Sequence, residues 1–183
     1  KYSSFDIPAH WTVPTASSRC GTYLQKNKCL EAVVGHKAHV RYDPRQDRCV
    51  FLIERRGTCY DAIGRGLLPS LKPKWYRYGR SDYGFLVSHM DVPTESICVV
   101  EDAASACNVA RVMDSMALLG TSINPTTLVD LIDYDEIIIA LDPDATDKAL
   151  KLQAKLRPYA ETKVVMLKDD LKYFDPAEIK HAL

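Results

Sequence analysis

With 183 residues, 46% of them hydrophobic, the chain is long enough to bury one sizeable core or two small ones. No apolar run approaches the ~20 residues of a membrane-spanning helix and no signal-peptide pattern opens the sequence, so a membrane role is not expected. Net charge is zero overall but divided: residues 1–95 hold 15 Lys and Arg against 9 Asp and Glu, whereas residues 96–183 hold 9 against 15. A basic half joined to an acidic half suits a polyanion held beside a cation site, and equally two oppositely charged surfaces docked on each other.

The first half predicts a helix around Ser17–Gln25. Short strands follow, Cys49–Ile53 and Thr58–Asp61, on either side of a turn at Arg56-Gly57. Pro69 and Pro73 interrupt what comes next, and Met90–Ser96, which contains Pro93, is the natural boundary between the halves. The six cysteines, at positions 20, 29, 49, 59, 98 and 107, include no CxxC or CxxH pair. Scattered thiols in a chain of this size point to a reducing cytoplasm, with a zinc site on Cys20, Cys29, Cys49 and Cys59 left as the alternative. The opening residue is Lys1 rather than Met, as expected of an excised fragment with neighbouring modules elsewhere.

The second half alternates. Ile97–Val100 is an apolar strand ending at Glu101, and Ala103–Leu119 reads as a helix stopped by Gly120. Asn124-Pro125 opens a short helix ending near Leu131, and Glu136–Leu141 is a continuous apolar strand. Asp147–Leu156 sets Leu152 and Leu156 on one helical face, Lys163–Leu167 is a third strand, and Pro176 opens a last helix. Strands apolar throughout and alternating with helices predict a parallel sheet covered on both faces. The expected fold is therefore α/β over 96–183, preceded by a basic α+β subdomain over 1–95.

In such a sheet ligands bind beyond the carboxyl ends of the strands, where Glu101 and Asp142 stand. Asp144 follows Asp142 by two, so an extended backbone would aim both carboxylates the same way. Three carboxylates on one rim repel each other unless a cation joins them, and hard oxygen ligands open to water suit Mg²⁺. Asp147 is expected to serve the following helix as a cap instead.

An apolar strand ending in Glu, followed by one ending in Asp-x-Asp, resembles the Toprim domain of primases, topoisomerases and related nucleases. ALLGTSIN (117–124) resembles the Gly-Thr turn between those carboxylates in DnaG-type primases, and KYFDPAEI (172–179) resembles their later Asp-Pro motif. RCVFLIERRGTCYDAIGRGLLPSLKPKWYRYG (48–79) is similar to the stretch in which a strand pair leads to Gly-Arg and Pro-Lys-aromatic. The likeness spans roughly residues 42–179. It implies a primase RNA polymerase core that makes short RNA primers on single-stranded DNA. Glu101, Asp142 and Asp144 would be catalytic and, with Asp175, would hold Mg²⁺ or Mn²⁺. Arg65, Lys74, Trp75 and Arg77 would contact DNA or nucleotide phosphates, with Arg80 a neighbour.

The resemblance also implies a bacterial or phage-infected cytoplasm, ribonucleoside triphosphates as substrates, a replicative helicase partner and a separate zinc module. Two departures stand out: Asp102 and Ser105 occupy positions where the family usually has Gly and Asp, and Ala177 intervenes before Glu178. Tyr76, Tyr78 and Trp75 have rings able to stack on bases as well as to pack. Three other readings stay open: a Toprim nuclease or topoisomerase fragment, a catalytically degenerate DNA-binding accessory, and a receiver-like phosphoacceptor using Glu101-Asp102, Asp142 and Lys168.

Overall fold

A computed structural model describes residues 3–120 and 122–183. The chain is mixed α/β, built on two sheets. After helices α1 (Arg19–Lys26) and α2 (Leu30–Val34), β1 (Val40–Asp43), β2 (Arg48–Arg55), β3 (Thr58–Gly66) and β4 (Trp75–Arg77) form an antiparallel meander in that spatial order. Ser18 caps α1, its hydroxyl accepting from Gly21 N at 3.0 Å. The expected turn is present: Arg56 and Gly57, both at positive φ (53° and 77°), close the β2–β3 hairpin with the twist a two-residue connection needs.

The second sheet has the order β5-β7-β6-β8-β9. It comprises β5 (Phe85–Val87), β6 (Ser96–Val100), β7 (Asp114–Ala117), β8 (Glu136–Ile139) and β9 (Glu161–Val164). β7, β6, β8 and β9 are parallel; β5 runs antiparallel on β7. β5 therefore joins this sheet although it precedes the expected boundary at residue 95. The connecting helices are α3 (Ala103–Val109), α4 (Pro125–Leu131) and α5 (Thr146–Leu156), with α6 (Pro176–Ala182) last. Among the described residues no helix is long and apolar enough to cross a membrane.

Side-chain alternation explains the apolar strands. Ile97, Val99, Ile137 and Ile139 join Met116, Leu131, Leu152 and Leu156 in one core layer. Cys98, Val100 and Ile138 face the other layer, shared with Leu24 of α1, Phe51 and Ile53 of β2, Phe85, Ala106 and Ile179. That second layer is continuous across the basic and acidic halves.

Two sequence expectations are corrected. The expected helix over 103–119 ends at Val109, and Asp114–Ala117 is a fully buried strand. Beyond the C-cap Ala110, Arg111 donates from Nε to Asn108 O at 3.1 Å and satisfies a terminal carbonyl, and Asp114 is locked by His89 N, Thr94 N and the Tyr134 hydroxyl. Tertiary pairing overrides the helix propensity of this Ala- and Met-rich run. Gly120 instead follows Leu119 in a left-handed turn leaving β7 (φ 77° and 58°). The third strand lies at 161–164 rather than 163–167, because beyond Val165, whose N donates to Ile139 O at 2.8 Å, the chain leaves the sheet.

Candidate functional site

The chain order β6, β7, β8 places β7 on one side of β6 and β8 on the other, so the connection through α4 passes across β6. A crevice opens beyond the carboxyl ends of two strands that diverge in this way. Glu101 leaves β6 there, and Asp142 leaves the β8 line, which Ala140 extends by donating its N to Val99 O at 2.9 Å. They line a cleft of about 320 Å³ together with Asp102, Ser105, Asp169, Asp170 and Lys74.

Loss of hydration is the first cause raising the pKa of Glu101, and repulsion from Asp142 is the second. For Asp142 the same loss leads, followed by repulsion from Asp102, Asp144 and Asp170. Lys148 and Lys74 pull in the opposite direction, on Glu101 and Asp142 respectively, without reversing either shift.

Asp102 has a structural duty: it caps α3, accepting from Ser105 N at 2.8 Å. Asp144 sits on a 3₁₀ turn over Pro143–Ala145, so the backbone after Asp142 is not extended, and of the two only Asp142 lines the cleft. Asp144 is exposed and acts on the cleft through its charge. Asp147 lies in the first turn of α5, whose N-cap is Ala145, so it favours the helix dipole rather than capping. Asp175 caps α6 in a reciprocal capping box with Glu178 and is not among the residues lining the cleft.

Asp169 and Asp170 are the site residues that sequence reasoning overlooked. Their signal was an acidic pair shortly after a strand, at the same rim as the other two carboxylates.

The donor set fits a hard divalent cation: carboxylate oxygens on an open rim, with Glu101 and Asp142 repelling each other. Among the described residues no three carboxylates, thiols or imidazoles already converge on one point. Any ion held here would therefore draw the rest of its shell from water or substrate oxygens.

Beside the acidic cleft lies a larger one, about 570 Å³, lined by Arg19, Arg65, Lys72, Lys74, Tyr23 and the Leu67–Leu71 loop. Lys74 lines both. Arg65 is held between two aromatic rings, its guanidinium carbon 5.6 Å from the Tyr23 ring centroid and 5.5 Å from that of Trp75. Trp75 also packs on Phe51, with ring centroids 5.9 Å apart.

Arg77 is placed otherwise. Its Nη1 donates to the buried Asp61 at 2.8 Å and its Nη2 to Tyr83 O at 3.1 Å, a structural commitment away from the basic cleft. The Tyr78 hydroxyl donates to Asp43 at 2.7 Å, and its ring meets Trp11 edge-on, so it too serves packing. Thr121, in the expected Gly-Thr turn, lies outside the described residues. No protein-family model matches the chain, and neither does any curated protein.

Proposed function

We propose that this chain is the RNA polymerase core of a DnaG-type primase, with the five-stranded unit as its Toprim domain. The observation that carries the reading is Lys74, which stands where a basic cleft opens into an acidic one at the β6/β8 crevice. Template-directed nucleotidyl transfer needs both: cations along the strand and triphosphate, and carboxylates for a divalent ion at the reacting phosphate. The charge division along the sequence then has a physical use.

Glu101 and Asp142, with Asp144 contributing field, would hold Mg²⁺ or Mn²⁺. The chemistry supplied by the bound ion is neutralisation of phosphate charge and a lowered pKa for the attacking 3′-hydroxyl. Lys74 and Arg65 hold phosphate oxygens at the shared edge. The Tyr23–Arg65–Trp75 stack fixes the guanidinium so that little ordering is lost when substrate arrives. Asp169 and Asp170, which line the same cleft, add to its negative charge.

Single-stranded template and ribonucleoside triphosphates are the substrates in this reading. A zinc module and a replicative helicase act as partners in the cytoplasm. The isolated chain is expected to prime weakly and with little site preference.

The test incubates the protein with single-stranded DNA, labelled ribonucleotides and Mg²⁺ or Mn²⁺, with a zinc module and helicase supplied. Oligoribonucleotides from wild type, lost in Glu101→Gln and Asp142→Asn, support the reading. It is falsified if wild type makes none, or if both variants match it. Nicking of plasmid DNA without primer synthesis would assign the same carboxylates to a nuclease.

A further inference from the structure

A third cleft, about 480 Å³, lies between the β2–β3 turn and α4. It is lined by Arg55, Arg56, Tyr60, Tyr83, Val129 and Asp130 among others, and shares no residue with the acidic and basic clefts. Three planar groups form a stack along it. The Arg55 guanidinium carbon stands 5.1 Å from the Tyr83 ring centroid, and the Tyr83 and Tyr60 rings are 5.0 Å apart at 35°. Arg55 is fixed by a bidentate pair with Asp130 and by donation to Gly84 O at 2.8 Å.

Tyr60 owes its place to a β-bulge. Ile53 pairs with Asp61 and Glu54 with Cys59, which leaves Tyr60 without a cross-strand partner. Bulges redirect side chains and occur preferentially beside functional sites. Here the bulge brings a half-buried ring to the end of an ordered stack.

The rest of the lining narrows the ligand. Asp130 is neutralised by Arg55, whereas Arg56 is exposed at the tip of the turn. Val129 is 66% exposed on the facing helix. Ring faces, an apolar side chain and a solvent-facing guanidinium suit a planar base joined to a phosphate. Tyr60 and Arg65 lie on the same strand, five residues and so about 17 Å apart, within reach of one extended strand of nucleic acid.

We infer that this cleft holds a base of single-stranded nucleic acid, stacked on Tyr60 with its phosphate against Arg56, as a second anchor for the strand. The inference rests on the nucleic-acid reading of the basic cleft. Stacking of this kind is tolerant of sequence, so the anchor holds the strand without choosing it.

The probe is single-stranded DNA of about 20 nucleotides carrying photoreactive 5-iodouracil. Crosslinked peptides are mapped by mass spectrometry, and affinity is measured at low salt. An adduct on Tyr60 or Tyr83 is expected. Tyr60→Ala should bind about five- to tenfold more weakly, and Tyr60→Phe should bind like wild type. Val129→Glu, on an exposed position, should weaken binding with an unchanged melting temperature, which separates lost binding from misfolding.

Wild-type affinity in both Tyr60→Ala and Val129→Glu with no adduct, while Lys74→Ala binds poorly, overturns the inference and leaves the proposed function standing. Absence of binding by the wild type overturns both. Displacement of the adduct by an equal concentration of thymidine triphosphate would make this a mononucleotide pocket and overturn the strand assignment.

Discussion

Arg55, the last residue of β2, and Asp130, in α4, form a bidentate ion pair across 75 residues of sequence, Nε to Oδ1 at 3.1 Å and Nη2 to Oδ2 at 2.9 Å. The pair ties the hairpin of the basic half to a helix of the acidic half, and both side chains are largely shielded, at 12% and 15% exposure. Breaking it leaves a partly buried guanidinium with no carboxylate, held by Glu54 O, Gly84 O and the Tyr83 ring. Asp130→Ala is expected to cost about 2 kcal/mol in urea unfolding. In a double-mutant cycle Arg55→Met should recover part of that loss, since it removes the stranded charge.

Asp61 is the centre of a five-bond polar junction in the first half. Wholly buried, it accepts from Ala62 N, Gly79 N, Ser81 N, Ser81 Oγ and Arg77 Nη1, at 2.6 to 3.1 Å. Asp61→Ala strands the Arg77 cation and is expected to destabilise by about 3–5 kcal/mol. Gly79→Ala should also be damaging, because a Cβ there would meet Asp61 Oδ1 at 2.5 Å. Thermal unfolding measures both.

The cleft carboxyls give a pH signature. Glu101 and Asp142 have raised pKa values in the folded chain, so their ionised forms oppose folding. This penalty is absent below about pH 4, where both states are protonated, and it grows as pH rises through the raised values. Glu101→Gln or Asp142→Asn should therefore raise Tm at neutral pH by about 1–2 °C, a gain that disappears near about pH 3. Saturating Mn²⁺ should raise the wild-type Tm and leave the double variant unmoved. Asp144→Asn, altering an exposed group outside the lining, should reduce primer synthesis less than Asp142→Asn does.

Lys74 carries the junction between the clefts. Lys74→Ala should weaken single-strand binding evenly across sequences and lower the salt dependence by about one counterion. It should also shift the Asp142 titration further upward, since this lysine is the cation that pulls it down. A lysine acting on phosphate alone would leave that titration where it is.

Several local features were legible in the sequence because short-range chemistry settles them. Arg56-Gly57 sits in a tight turn that needs positive φ, Asn124-Pro125 and Asp175-Pro176 open helices, and the uniformly apolar stretches at 97–100 and 137–139 are central parallel strands. Glu101 and Asp142 could be placed at one rim because parallel strands end on the same side of a sheet.

Tertiary structure alone decided the rest. Whether 114–117 became helix or strand depended on a vacancy between β5 and β6 that only the assembled sheet presents. The partners of charged residues depended on distance in space: Arg77 turned inward to Asp61, whereas Lys74, three residues earlier, came to stand between two clefts. Residue type and spacing determine which groups a chain can offer, but burial and long-range pairing determine which of them solvent and ligand can reach.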